Sequence, residues 1–366
     1  MPLPISPVDV INPAFHHTKL QLLKPFRFGQ WARLAFVGLF AGEISSGGGC
    51  NFSWPAPHHT KPAGRVVNTA FPFPPEHHLG WSAATIVFVI VAGIALFLLF
   101  LYISSVMRFI LFDSVITKEC HVRKGWTRHR HHGLQLFGWQ LLISLVSFAG
   151  LLIIIAFPLA GAWILGWFNH PRYHLVPLIL GGLLFFIVFA AFVLILLLVH
   201  VMTKDFVVPQ MALENLSAVE GWRRLWSWLQ AEKGGYAGYI GMKIVLAIGV
   251  GVFLAIVSMI VLLALLIPVA GISIVAALIG ATAGLTWNFF TITLVVFAGI
   301  IVFAFSMFAF SFISVPATVF FPAYSIYFLA PRYPPLAALL WPPLGTMTAP
   351  ASLPTEPPPP SPPIPT

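Results

Sequence analysis

Charge is what this chain has least of. Asp, Glu, Lys and Arg make up 8% of its 366 residues, against about 25% in soluble globular proteins, so a water-soluble fold is excluded. Acidic side chains number only 10. The two cysteines, Cys50 and Cys120, exclude a disulfide framework, and the topology argued below sets them on opposite sides of a membrane, where they cannot pair within one chain. No GxSxG, Walker-type loop, HExxH, CxxC or convergent carboxylate pair occurs, so the reading is not an enzyme. Residues 1–23 lack the basic-then-apolar pattern of a cleavable signal peptide, which leaves the first hydrophobic segment as the expected anchor.

What fills the chain instead is apolar: 59% hydrophobic and 14% aromatic residues, with a mean hydropathy of +0.93. The relevant unit is then the roughly 20 apolar residues that cross a bilayer. Segments 81–106, 139–167, 175–201, 239–267 and 287–313 each run long enough, and their continuous apolarity excludes alternating barrel strands. Segment 26–44 is shorter in effect, because Arg27, Gln30 and Arg33 occupy its first half. It reads as a span, with an interfacial helix as the alternative. Segment 269–285 carries Gly271, Gly280 and Gly284 and reads as re-entrant, as a packed loop or as a further crossing.

A weak internal repeat bears on that choice. At an offset of 96, KECHVRKGWTR (118–128) aligns with ENLSAVEGWRR (214–224), pairing Gly125 with Gly221, Trp126 with Trp222 and Arg128 with Arg224. Val315 and Pro316 follow a third span as Val208 and Pro209 follow theirs. Equivalent positions lie on one membrane face, so 269–285 is expected not to cross. Six spans with both termini inside then place fifteen Lys and Arg within and three (Lys61, Arg65, Arg172) outside, with Lys243 inside a span, as the positive-inside rule requires.

The expected architecture is therefore an all-α polytopic transmembrane bundle of about six spans. It comprises an N-terminal cytoplasmic segment (1–25), a transmembrane domain (26–340) and a Pro-rich disordered tail (341–366). An outer loop covers 45–80, and interfacial segments at 108–135, 203–236 and 314–330 lie on the inner face. The final 17 residues hold nine prolines, which cannot form helix. A bacterial inner membrane with both termini cytoplasmic is the expected location.

Ser217 and Glu220 form a capping-box pattern ahead of Trp222, Leu225, Trp226 and Leu229 at helical spacing, predicting an amphipathic helix in the headgroup layer. Trp126, Trp222, Arg223, Arg224 and Trp226 are the expected contacts with anionic lipid headgroups. RHRHH (128–132) reads as a solvated basic loop, too short and too poor in aromatics for nucleic acid. His58, His59, His77, His78 and Cys50 share the outer loop but lack HxH or HxxxH spacing. No cofactor is expected, and a metal or haem iron at these residues is the alternative. Lys243 reads as a lysine snorkelling to the inner headgroups and His200 as a hydrogen-bonded interface residue. The five clear spans hold no carboxylate, and Glu43 is the only acidic candidate near the membrane.

KPFRFGQWARLAFVGLF (24–40) with its following GGG, FVVPQMALENLSAVEGWRRLW (206–226) and VPATVFFPAYSIYFL (315–329) resemble a broad group of uncharacterised bacterial membrane proteins. That group is related to the membrane domain attached to some glycerophosphodiester phosphodiesterases. These 366 residues contain no phosphodiesterase barrel, so the resemblance implies a membrane module and transfers no catalytic residue. The leading reading is a non-enzymatic module that organises lipid or serves as a subunit of a larger membrane complex, with a membrane-protein partner or a homo-oligomer. The alternatives are a transporter or channel built on the repeat, and a cofactor- or metal-binding subunit using the histidines.

Overall fold

The computed structural model describes residues 6–24, 26–43, 83–166, 174–282 and 289–341, and among these every regular element is helical. The helices are α1 (Ile11–Leu23), α2 (Phe28–Ala41), α3 (Ala83–Thr117), α4 (Val122–Ile164) and α5 (Leu175–Met202). A π-helical turn (Thr203–Val207) leads into α6 (Val208–Glu214), followed by α7 (Ala218–Ala231), α8 (Lys233–Thr282) and α9 (Phe289–Leu329). A 3-10 turn (Ala330–Arg332) and α10 (Pro334–Leu340) close the described chain.

Five stretches are long and apolar enough to cross a membrane: Ala83–Thr117, Val122–Ile164, Leu175–Glu214, Lys233–Ala276 and Phe290–Arg332. All are longer than the 81–106 type of boundary expected from hydropathy. The segments 108–117, 122–135 and 314–329, expected to lie between spans, instead continue α3, α4 and α9 as helix. Residues 269–282 likewise continue α8 straight through Pro268, so this stretch does not turn back on itself. Pro158, Pro316 and Pro322 also sit inside helices, as long membrane helices tolerate.

The expected first span, 26–44, is the one that fails on length. Helix α2 has 14 residues, about 21 Å at 1.5 Å per residue, short of a roughly 30 Å hydrocarbon layer. Gly42, at φ 77°, ends it in the left-handed conformation that glycine adopts freely. α2 runs antiparallel to α3: Gln30 Nε2 donates to the Lys118 carbonyl at 2.7 Å, and the Phe40 ring stacks on Phe100 at 6.1 Å. It therefore stops about 25 Å of helical rise short of Ala83.

The buried residues gather at one end of the long helices. That cap is built from α1, α2, the last turns of α3, α5 and α9, the first turns of α4 and α8, and α6, α7 and α10. Its centre is aromatic: Phe206 lies 5.1 Å from Tyr239 and 5.3 Å from Tyr236, and Tyr239 lies 4.6 Å from Phe328, ring to ring. Each such pair contributes about 0.5–1.5 kcal/mol beyond its area, tying α5, α8 and α9 together. Away from the cap the helices are almost bare, since at most 6% of the most apolar window of any of the five is buried.

Candidate functional site

The charged residues nearest the membrane stand where apolar runs end. Arg108 follows the uncharged run 83–107 of α3, Lys204 and Asp205 follow 175–203 of α5, and Lys243 precedes 244–282 of α8. Glu43 stands just past the end of α2. Because α2, α3, α5 and α8 meet the cap at these positions, the five charges converge at its membrane-facing side.

The convergence is paired. Lys204 Nζ donates to Glu43 Oε2, and Lys243 Nζ donates to Asp205 Oδ2. Asp205 Oδ2 also accepts from Tyr239 Oη at 2.9 Å, so this carboxylate is held by two donors from α8. Glu43, Asp205, Lys243 and Arg108 are all buried, at 4, 2, 8 and 9% exposure. Burying a charge is costly unless it is paired and hydrogen-bonded, and removing one member of such a pair typically costs 3–5 kcal/mol. Arg108 Nε donates to the Ala41 carbonyl at 3.3 Å, and its Nη2 lies 3.3 Å from His200 Nε2. Lys204 and Asp205 occupy the π-helical turn, a distortion that places consecutive side chains differently from an α-helix and recurs at functional sites. Beside the pairs lies a cavity of about 30 Å³, lined by Glu43, Arg108, Lys204 and Asp205 on its polar side and by Phe112, Pro209, Pro322 and Ile326 among its apolar walls.

This geometry corrects two readings of the sequence. Lys243 does not snorkel to the headgroups, because a buried carboxylate lies within its reach. By hydropathy that carboxylate, Asp205, falls in the interfacial segment 203–236, beyond the end of its span. The only sequence signal for the pair is that both residues flank apolar runs, which says nothing of how helices 38 residues apart pack.

The expected interfacial residues divide. Ser217 and Glu220 form the predicted capping box, with Ser217 N donating to Glu220 Oε2 at 3.1 Å and Glu220 N donating to Ser217 Oγ at 3.3 Å. On α7, Trp226 and Arg223 are exposed. Trp222 turns inward, half-buried, where its Nε1 donates to Thr203 Oγ1 at 3.1 Å and its ring lies 6.3 Å from Trp139. Arg224 is held by Glu214 at 2.6 Å. Trp126 is half-buried with its ring edge-on to Tyr102 at 6.0 Å. Arg128 to His132 lies within α4 rather than in a loop, and His129 is buried, stacked on Phe109 at 5.8 Å.

Both Gly-Trp pairs of the aligned segments do the same local work. A Cβ on Gly125 would lie 2.9 Å from Ile110, and one on Gly221 would lie 2.8 Å from Val207. Each glycine thus lets its helix close onto the end of the preceding long helix.

Outside the spans, several titratable groups are displaced, Glu232, Cys120 and His17 among them. Arg332 grips Glu232 with both arms, Nε to Oε2 at 2.8 Å and Nη2 to Oε1 at 2.7 Å, which holds the Glu232 carboxyl below its ordinary value. Burial pushes the Cys120 thiol up to about 11, offset in part by Arg33. Burial also lowers His17, whose Nε2 lies 2.8 Å from the Val115 carbonyl and whose Nδ1 lies 3.2 Å from Tyr327 Oη.

Cys50, His58, His59, His77 and His78 lie outside the described residues. Among the described residues, no three His, Cys, Asp or Glu side chains come together as metal ligands would. No curated protein matches the chain. No solved structure does either. A family model described as "Family of unknown function (DUF7544)" matches residues 5–339, nearly the whole described chain, and the protein, with its five helices long and apolar enough to cross a membrane, belongs to that family.

Proposed function

We propose that this protein is a non-enzymatic membrane scaffold: an inner-face cap that holds five apolar helices and offers their uncovered flanks to lipid and to partner helices. The observation that carries this reading is the contrast between a cap with a continuous buried core and spans whose most apolar windows are at most 6% buried. Apolar helix surface needs cover, and in a bilayer lipid tails or other helices supply it. On α7, Trp226 beside Arg223 supports contact with anionic headgroups, the ring at the interface and the guanidinium on phosphate. The resemblance to the membrane domain of some glycerophosphodiester phosphodiesterases fits a module of this kind.

α1 and Trp341, just beyond α10, both pack against the cap end of α9. This supports termini on one side, the cytoplasmic side by charge, and hence an even number of crossings in a bacterial inner membrane. The matching roles of Gly125 and Gly221 support the repeat.

Native mass spectrometry of the untagged protein in mild detergent, with an optical spectrum of the same sample, tests the reading. Bound lipid, a second copy or a stoichiometric membrane partner is the expected result. A colourless, delipidated monomer overturns it, and visible absorption would move the assignment to a cofactor-binding subunit. Transport is the second reading, favoured by the buried ionic cluster and its cavity. Ion flux through proteoliposomes that Glu43→Gln abolishes would establish it.

A further inference from the structure

Beside the start of α1 the cap surface opens into a groove of about 700 Å³, lined chiefly by Asp9, Asn12, Pro13, His16, Tyr327 and Trp341. One wall is aromatic. The rings of Tyr327 and Trp341 meet edge-on with centroids 6.3 Å apart, and Trp341 is 51% exposed. The opposite wall is the exposed edge of α1, with Asn12, Pro13 and His16. The Asn12 amide, an imidazole N–H of His16 and the Trp341 indole N–H are hydrogen-bond donors.

Paired aromatic rings flanked by donors are what an extended proline-rich peptide needs. Its prolyl rings lie against the aromatic wall, and its carbonyls, which a polyproline helix leaves without internal hydrogen bonds, accept from the donors. An open groove suits a length of peptide.

The chain carries such a peptide, and it begins on the groove wall. Trp341 closes the described residues, and residues 342–366 hold eleven prolines, with the unbroken run Pro357–Pro360 among them. At about 3.1 Å per residue in the extended form, the fifteen residues 342–356 reach up to about 45 Å. That is ample for the run to return to the groove from Trp341. Tethering of this kind sets an effective concentration in the millimolar range, so a weak contact is enough to hold it.

We propose that the groove between α1, Tyr327 and Trp341 is the docking site of this chain's own proline run, Pro357–Pro360 with Pro362 and Pro363. Docking closes the tail over the Trp341 ring and straps α1 to the end of α9. The contact is apolar and hydrogen-bonded, because the only charged residue of 342–366 is Glu356 and the carboxylate of the groove is Asp9. It does not depend on the scaffold reading.

The test is cross-linking of the full chain in mild detergent, with Cys50 and Cys120 replaced by serine. Asn12→Cys with Ser361→Cys places one thiol in the groove and one beside the proline run, and a short bismaleimide joins them when the tail is docked. Cross-linking within one chain is expected, at least about tenfold faster than for Arg27→Cys with Ser361→Cys, which pairs the tail with an exposed residue away from the groove. Trp341→Ala is expected to bring the fast pair down to the slow rate. Should Trp341→Ala fail to fold, serine at Pro357, Pro358, Pro359 and Pro360 decides alone, since it alters no residue of the cap, and the same fall is expected. Asp9→Asn is expected to leave the fast rate intact. Equal rates for the two cysteine pairs, or a fast rate that survives loss of the four prolines, overturn the proposal. Products joining two chains overturn it in favour of a second copy's tail, and loss of the fast rate in Asp9→Asn overturns it in favour of a cationic ligand.

Discussion

At the scale of single residues, the cap is governed by close approach and by burial. Gly133 is a tight point against backbone, since a Cβ there would stand 2.4 Å from Val106 Cγ2 and 3.2 Å from the Val106 backbone. Backbone cannot swing aside as a flexible side chain can. Gly133→Val is therefore expected to destabilise the protein by about 1–3 kcal/mol through overpacking, read as a lowered Tm in detergent, while the same change at Gly138, which meets nothing within 4 Å, leaves the cap intact. Cys120 shows the chemical side of burial. With its thiol moved from 9.0 to about 11, its thiolate fraction near neutral pH falls about a hundredfold. In a Cys50→Ser background, maleimide at pH 7.5 is expected to label Cys120 slowly in the folded protein and rapidly once it is unfolded. Equal rates would show that the thiol is not enclosed.

Among elements, the ends are tied by hydrogen bonds that titrate. His17 links α1 to the Val115 carbonyl of α3 and to Tyr327 of α9. Its pKa in the folded state lies below the ordinary 6.5, so as pH falls the unfolded chain takes up the proton first. Stability contributed by neutral His17 is complete above about pH 6.5 and is lost as pH falls towards the lower folded value. His17→Gln is expected to flatten that part of the stability profile, and to cost about 1–3 kcal/mol at pH 8 for two buried hydrogen bonds. Glu232 behaves with the same sign at lower pH. Its carboxyl lies below 4.5 when paired with Arg332, so its contribution is present above about pH 4.5 and disappears as pH falls below that. Glu232 is 33% exposed, so screening keeps the term near 1 kcal/mol. Glu232→Gln should lower Tm at pH 7 and abolish this lower limb.

How much of these elements the sequence discloses depends on the range of the interaction. The capping box at Ser217 and Glu220 and the apolar cores of the long helices are local and could be read directly. The continuation of α3, α4 and α9 past their apolar stretches is not visible in hydropathy, because a helix leaving a bilayer for a protein core stays helical while its composition turns mixed. The pairing of Asp205 with Lys243, and of Glu43 with Lys204 across 161 positions, depends on how helices assemble. Lys243 accordingly looked like an isolated snorkelling residue. Helical periodicity puts Trp222 on the lipid face, yet it faces Thr203, since a helix lying on a cap has two apolar neighbours and the pattern alone does not choose between them.

For the molecule as a whole, the cap fixes which ends share a side. α1 contacts the last turns of α9 through His17 and Tyr327, and Tyr327 lies 6.3 Å from Trp341 just beyond α10. Ala83 and Leu175, the first residues of α3 and α5, lie about 33 and 40 Å of helical rise from Ser105 and Met202, which are buried in the cap. Both rises are enough to span the roughly 30 Å hydrocarbon layer of a bilayer. In a chain with Cys50 and Cys120 replaced by serine, Ser6→Cys and Leu339→Cys should react with a membrane-impermeant maleimide from one and the same side, the cytoplasmic side in the orientation proposed above, and Leu175→Cys from the opposite side alone. Labelling of Ser6→Cys and Leu339→Cys from different sides would leave an odd number of crossings and place one of those ends across the membrane from the cap. Their shared packing against α9 forbids that arrangement, so such a result would overturn the cap itself along with the count of spans.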